Sequence, residues 1–408
     1  MTHKVVVLGA GYAGLPAARR LANQVRRDAV EVTVVNASPD FVERPRLHQM
    51  STGQQVRRLP LREVLDPAGV RLLVGAVTRL DLAARSVTVA AREGEVVVPY
   101  DTCVYALGST VDRHRVPGVA QHTHAFTDPG AAERLYAAAA LVAAHRGVFA
   151  VCGGGLTGIE GAAELAETFP DLQVLLVSAR PAGDWLAPRG RARLDRAFDR
   201  LGVTRRTGER VVEVRDGALL MEGGGTVPFD ACLWAGGFTV PRLAADAGLT
   251  VDGAGRVRVD QTLRVPSHPD VYVIGDAVAA SGPWGDSQAM GCRTGGFTGP
   301  YVADAVATRL AGREPGPFRF RYLHECISLG RGDGVVQFLH ADERPHDVVL
   351  TGRTAARYKE GRARLRGLAV PVPRPVPAVA TAGGARRAGS VGRRLTWRVP
   401  TPTRGPAS

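Results

Sequence analysis

Residues 148–167 read VFAVCGGGLTGIEGAAELAE. An apolar run of strand character enters three consecutive glycines, a fourth glycine follows at position 158, and an Ala- and Glu-rich helix pattern completes the stretch. The same design opens the chain at residues 4–22, KVVVLGAGYAGLPAARRLA. Strand, glycine turn and helix in that order make half of a βαβ nucleotide-binding unit, and here the half-unit occurs twice.

In the first turn, Gly9-Ala10-Gly11-Tyr12-Ala13-Gly14, each glycine has its own task. Gly9 makes the tight turn, Gly11 lets the backbone approach a pyrophosphate, and Gly14 lets helix and strand pack closely. Tyr12 and Ala13 carry the chain into the helix N-terminus, where that anion sits. A second strand, VEVTVV at 30–35, follows at βαβ distance and turns a weak motif into a dinucleotide site. The next residue is Asn36, where an acid usually holds the ribose; an amide can still hydrogen-bond it, and Asp40 and Glu43 are alternatives.

The second turn reads as GxGxxG from Gly153 through Gly155 to Gly158, and its second strand is LQVLLVS at 172–178. That strand also ends without an acid. Ser178 and Arg180 stand there, a small hydroxyl beside an arginine, which accommodates a 2′-phosphate and favours NADPH over NADH.

The chain has 408 residues, 45% of them hydrophobic, enough for a large core divided among two or three domains. A formal charge of +13 would suggest a nucleic-acid or membrane partner if it were spread over the surface. From residue 353 onward there are 13 basic residues and one acid, so 12 of the 13 net charges lie in the last 56 residues. No nucleic-acid partner is therefore expected for the near-neutral body. Of the 52 basic residues only Lys4 and Lys359 are lysine, a mark of GC-rich coding that weakens the reading of any single arginine.

Five cysteines without a CxxC or metal-ligand spacing point to reduced thiols, a cytoplasmic location and no metal centre. Cys103, Cys152 and Cys232 read as small hydrophobes of buried strands. The N-terminus runs directly into a strand, leaving no room for a signal peptide, and the most apolar helical run, 135–144, is too short to span a bilayer.

Three further stretches tell which site is which. YDTCVYALGS (100–109) is a strand that ends at Gly108, FDACLWAGGF (229–238) repeats that form, and HPDVYVIGDAVA (268–279) delivers Gly275 and Asp276. This order of motifs resembles the two-dinucleotide-binding-domain flavoproteins of the pyridine nucleotide-disulfide oxidoreductase superfamily, over about residues 4–370. The resemblance implies that Gly9, Gly11, Gly14, Gly108, Gly275 and Asp276 hold FAD, and that Gly153, Gly155 and Gly158 hold NAD(P)H. It implies an α/β fold of two Rossmann-like dinucleotide-binding domains: an FAD domain from residues 1–112 and 262–320, an NAD(P)H domain at 113–261 inserted between them, and a small α+β C-terminal region at 321–370. Residues 371–408, rich in Pro, Gly and Arg, are expected to be disordered.

The early segment FVERPRLHQMSTG (41–53) has no cysteine, which argues against dithiol relay chemistry. That segment and GGGLTGIEGAAEL resemble type II NADH dehydrogenases and their soluble relatives. The resemblance implies hydride transfer from NAD(P)H through FAD to a quinone or another small acceptor. It also implies a glutamine at the acceptor site; Gln288 matches, whereas Cys292 and Arg293 stand where a second glutamine would fall. YLHECISLGRGDGVVQF (322–338) would be a short sheet packed against the flavin domain.

His48 lies where it can donate a proton near the flavin, or it is a packing residue. Glu160 is favoured in the first turn of the second helix by the helix dipole, and the resemblance places it near nicotinamide and flavin. Arg44 and Arg46 read as partners of the FAD phosphates or as surface residues. Residues 353–370 form a basic amphipathic helix that either touches an anionic membrane surface or docks on the body. Three functions stay open: an NAD(P)H oxidoreductase with a quinone-type acceptor, a soluble tailoring oxidoreductase of secondary metabolism, and a non-enzymatic flavin or nucleotide sensor. The acceptor, the reaction direction and the oligomeric state are open too, a homodimer being one expectation.

Overall fold

The computed structural model describes residues 2–280 and 290–368, all of them within one compact unit, Met1–Pro373. Gln288 and everything beyond residue 368 lie outside the described residues, as do the side chains of Cys292 and Arg293.

The N-terminal stretch forms strand β1 (His3–Leu8) and helix α1 (Gly14–Ala22), and the Val-rich run that follows forms β2 (Val30–Asn36), parallel to β1. Val5, Val7, Leu8, Val34 and Val35 have no exposed surface, as a parallel strand covered on both faces requires. Beyond β2 the sheet continues into β3 (Arg71–Asp81) and an antiparallel meander with β4 (Ser86–Ala91) and β5 (Gly94–Pro99). On the other side of β1 lies β6 (Thr102–Tyr105), and two strands from much later in the chain, His268–Val273 and Arg264–Val265, complete an eight-stranded sheet. The strand order brings the Gly275-Asp276 turn beside the first glycine turn, although more than 260 residues separate them in sequence.

A second sheet repeats the arrangement. After helix α2 (Pro129–Ala144), strand β7 (Val148–Cys152) leads through the second glycine turn into α3 (Leu156–Thr168), β8 (Gln173–Ser178), α4 (Pro188–Leu201) and β9 (Thr204–Thr207). With β10 (Ala231–Trp234) these strands make a four-stranded parallel sheet in the order β9-β8-β7-β10. Cys103, Cys152 and Cys232 are buried in strands, as their apolar surroundings predict.

Helix α5 (Cys292–Leu310) packs along α1, and three antiparallel strands, β11 (His324–Ser328), β12 (Gly334–Leu339) and β13 (Pro345–Thr351), precede helix α6 (Gly352–Leu368). The three-stranded sheet was expected against the flavin-binding half. Its apolar residues Ile327, Leu329, Val335 and Val349 instead join Ile159, Leu165 and Phe198 in the core beside the second sheet, so it covers α3 and α4. The alternation in β11 and β12 announces an apolar face but carries no mark of what covers it. Buried Gln337 fixes the seating by accepting a 3.0 Å hydrogen bond from the Ala187 N–H at the start of α4. Helix α6 docks on this same sheet, with Ala355 buried.

Candidate functional site

The two glycine turns are built alike. Gly9 has φ +98°, and a Cβ there would lie 2.5 Å from the Ala106 carbonyl oxygen; Gly153 has φ +128°, and a Cβ would lie 2.4 Å from that of Ala235. At Gly14 and Gly158 a Cβ would come within 1.9 and 1.8 Å of the carbonyl oxygens of Gly9 and Gly153. At the middle positions, Gly11 and Gly155, a Cβ would meet nothing within 4 Å. Four glycines are thus demanded by the fold, while two border open space at the mouth of a helix. Neither α1 nor α3 has a side-chain cap, so its first N–H groups remain available to an anion. An uncapped helix N-terminus behind an open glycine fits a dinucleotide pyrophosphate at both places.

Around the first turn, Tyr12 stacks edge-to-face on Phe41 with centroids 5.1 Å apart, and buried Ala13 is pressed by Gly295 and Gly299 of α5. Asn36 accepts a 2.9 Å hydrogen bond from the Ala10 N–H and donates a 2.7 Å bond to the Ser38 carbonyl, so its carboxamide braces the turn itself. Gly108 and Gly275 both adopt positive φ, +68° and +71°. Asp276 accepts hydrogen bonds from Ser109 Oγ (2.6 Å) and the Gly291 N–H (2.6 Å), while Arg44 Nη1 donates to the Ser109 carbonyl. Burial lowers the Arg44 pKa from its ordinary value and the Asp276 charge partly restores it. Arg44, Gly108, Gly275 and Asp276 therefore gather around the first turn from three separate segments.

At the second turn, buried Ser178 donates its hydroxyl to the Arg180 carbonyl at 2.7 Å. The Arg180 side chain is 79% exposed and lies 3.2 Å from the Asp184 carboxylate.

The remaining candidates meet elsewhere, in a polar cluster buried where residues 43–54, α3 and the C-terminal segments converge. His48 is 3% exposed, with Nδ1 3.6 Å from Glu160 Oε2 and Nε2 3.8 Å from Glu164 Oε1. The two glutamates are four residues apart and so share one face of α3. Glu160 is held by Lys359 Nζ and by the Ser328 N–H at 2.9 Å; Glu164 is held by Arg331 and by Gln54 Nε2 at 2.9 Å. Glu360 binds Arg46 (3.1 Å), Gln49 (3.0 Å) and Arg331 (3.1 Å), tying α6 to the early segment. Arg46 is therefore a cluster residue and not a surface one.

Burial drives the His48 pKa well below its ordinary value, and the neighbouring charges of Lys359, Arg331 and Arg46 add to the effect. Burial raises the Glu164 pKa, with Arg331 and Gln54 opposing it. Because folded His48 resists protonation and the unfolded chain does not, stability falls as pH drops below the ordinary histidine value of about 6.5. His48→Gln should flatten that part of the acid limb, measured as denaturant midpoints between about pH 7 and about pH 5. An unchanged limb would show that His48 takes its proton equally in both states.

Sequence reasoning found His48 and Glu160 but missed Glu164, Arg331, Lys359 and Glu360. Two signals were present: the four-residue spacing of the glutamates, and a lysine at 359 in a chain whose other basic residues, Lys4 apart, are arginine.

A family model for pyridine nucleotide-disulphide oxidoreductases matches residues 3–294. A type II NADH:quinone oxidoreductase of Mycobacterium tuberculosis is 29% identical over 375 residues, spanning 78% of this chain and 76% of that protein. An NADH dehydrogenase-like protein of the same species is 31% identical over 353 residues, 81% of this chain and 87% of that protein. Among solved structures, the sulfide:quinone oxidoreductase of Aquifex aeolicus shares the fold with a TM-score of 0.76 at 17% identity, covering 89% of this chain and 90% of that one. NDH2 of Plasmodium falciparum in complex with NADH gives a TM-score of 0.76 at 14% identity, over 89% and 94%. With the family match spanning both glycine turns and the Gly275-Asp276 pair, the chain belongs to the pyridine nucleotide-disulphide oxidoreductase family and is an oxidoreductase.

Proposed function

We propose that the protein binds FAD at the first glycine turn and NADH at the second, and passes reducing equivalents from NADH to a quinone. The observation that carries this reading is the pair of turns, each with two glycines pressed by backbone oxygens and one facing open space. The FAD half comprises residues 1–112 and 262–320, and the NADH half residues 113–261. Gly9, Gly11, Gly14, Gly108 and Gly275 shape the flavin cradle, and Arg44 and Asp276 supply its charges. Bound FAD contributes the two-electron carrier that links a hydride donor to the acceptor, and the protein contributes position and charge. His48, Glu160 and Gln288 belong to the acceptor side of this reading. Among the described residues no helix is long and apolar enough to cross a membrane.

NADH is preferred to NADPH here because Asp184 occupies Arg180, the cation that a 2′-phosphate would need, and because the type II oxidoreductase named above is an NADH:quinone enzyme. Asp184→Ala should free Arg180 and raise kcat/KM for NADPH relative to NADH by up to about fivefold, the scale of one exposed ion pair. Arg180→Ala should reverse that gain. If both variants leave the ratio unchanged, Arg180 has no part in coenzyme choice.

The deciding experiment is an anaerobic titration of purified protein with NADH and with NADPH, followed by the visible flavin absorbance. A yellow protein that bleaches with NADH supports the reading. A protein that stays colourless after incubation with FAD, or one that binds flavin and bleaches with neither nucleotide, overturns it.

A further inference from the structure

Residues 179–187 join β8 to α4 and lie against the second glycine turn. At Gly154 a Cβ would lie 3.0 Å from Ser178 Cβ and 3.3 Å from Ala182 Cα, and the Gly183 N–H donates to the Gly154 carbonyl at 3.4 Å. In a βαβ nucleotide unit, the segment that follows the second strand borders the ribose beside the adenine. Ala179, Arg180 and Pro181 are exposed, whereas Ala182, Gly183, Leu186 and Ala187 are buried, so this loop has a free rim and a seated base.

The base is seated on the C-terminal sheet. Trp185 Nε1 donates a 2.9 Å hydrogen bond to Glu325 Oε2 in β11, and the Ala187 N–H bond to Gln337 Oε1 in β12 is 3.0 Å long. Both are shorter than the 3.4 Å bond from the loop to the glycine turn. Glu325 and Gln337 are both buried, so water competes little for either acceptor. The Trp185 ring packs on the core that Ile327, Leu329 and Val335 share with Ile159 of α3 and Phe198 of α4. The sheet is in turn fastened to both helices: Asp333 accepts hydrogen bonds from Arg193 (2.7 Å) and Arg200 (3.1 Å), and Glu167 accepts one from the Arg331 N–H (2.6 Å). A wall of the second nucleotide site is therefore held from behind by a strand 140 residues further along the chain.

We propose that Trp185 and Glu325 are positioning residues for the adenosine half of NADH: through this pair, the C-terminal sheet keeps the loop in place before the coenzyme arrives. The inference rests on the NADH reading above and adds the element that sets coenzyme affinity. A wall already ordered spares the coenzyme the cost of ordering it on binding. Loosening the wall weakens the ground state and the transition state alike, which raises KM and leaves kcat unchanged. A hydride donor without the adenosine half does not feel the difference.

The test compares Trp185→Phe, Glu325→Ala and Glu325→Gln with the unaltered flavin-loaded protein. Trp185→Phe keeps an aromatic ring and loses the N–H, Glu325→Ala loses the acceptor, and Glu325→Gln keeps an acceptor oxygen. With NADH and ferricyanide, KM should rise about five- to tenfold in the first two, the scale of one net hydrogen bond, while kcat stays within about twofold. Glu325→Gln should stay close to the unaltered protein. Turnover of reduced nicotinamide mononucleotide, which has the reacting ring and no adenosine, should be unchanged in all three. Calorimetric titration with ADP-ribose, which carries no nicotinamide, gives a readout independent of turnover, and its Kd should rise by the same factor as the NADH KM. ADP-ribose decides alone if the mononucleotide turns over too slowly to measure. Unchanged ADP-ribose affinity in Trp185→Phe and Glu325→Ala, equal losses with NADH and the mononucleotide at normal flavin content, or a Glu325→Gln as weak as Glu325→Ala would overturn the positioning role and leave the parent reading standing. If the unaltered protein neither binds ADP-ribose nor bleaches with NADH, the parent reading falls and this inference falls with it. Trp185→Phe retains the apolar bulk, so it still decides the matter if Glu325→Ala does not fold.

Discussion

Gly11→Ala will give a folded protein without flavin, and Gly14→Ala will give little folded protein at all. The same added methyl group has opposite consequences because the two glycines meet different surroundings. At position 14 the new Cβ would lie 1.9 Å from the Gly9 carbonyl oxygen, a backbone atom that moves only if the turn moves. Overpacking a core costs about 1–3 kcal/mol where side chains can yield, and here they cannot, so a loss of at least about 3 kcal/mol is expected. At position 11 no protein atom lies within 4 Å and φ is not positive, so an alanine is accommodated. It then fills the space through which a pyrophosphate would approach the backbone. Far-ultraviolet circular dichroism should be unchanged for Gly11→Ala while the flavin-to-protein absorbance ratio falls more than about tenfold, a loss above about 1.4 kcal/mol in binding. Gly155→Ala should retain the flavin and weaken NADH instead. Full flavin content in Gly11→Ala would place the flavin away from this turn.

These turns were legible in the sequence because their requirements are local. A positive φ at Gly9 and a helix packed against its own entering strand at Gly14 leave glycine as the residue that fits, and the constraint is written within six positions. The gathering of Gly275 and Asp276 at the first turn was accessible through the order of motifs, although its physical cause is a sheet order that no local pattern encodes. Asn36 shows that a local rule reports only part of a side chain's work. The residue after the second strand reads as a ribose partner, and in the fold both polar ends of its side chain also brace the backbone at Ala10 and Ser38, which no local pattern announces. The polar cluster was largely invisible because its members come from residues 46–54, 160–167, 328–331 and 359–360, and each is unremarkable in its own segment. The C-terminal sheet was assigned the wrong neighbour for a related reason: alternation tells which face is apolar, while the covering partner depends on tertiary contacts.

Lys359→Met will destabilise the protein by about 3–5 kcal/mol, and most of that loss will be recovered when Glu160→Gln is added. The side chains of Lys359 and Glu160 are 15% and 11% exposed, so the pair is shielded enough for its charges to matter. Removing the lysine alone leaves a buried carboxylate with the Ser328 N–H and no cation of its own. Neutralising the glutamate as well leaves a polar amide that can keep the Ser328 bond, which is why the double variant should recover. Denaturant unfolding of the two single variants and the double variant gives the coupling directly, and a coupling below about 0.5 kcal/mol would mean that solvent screens the pair. Lys359→Arg supplies the further discrimination. In a chain whose other basic residues, Lys4 apart, are all arginine, coding bias alone would have placed arginine here too. Arginine keeps the charge but brings a larger planar group in place of a compact one, so it should restore only part of the stability. A fully stable Lys359→Arg would make the lysine an accident of drift; a partly stable one would tie it to the compact charge that fits beside Glu160 and the Ser328 N–H.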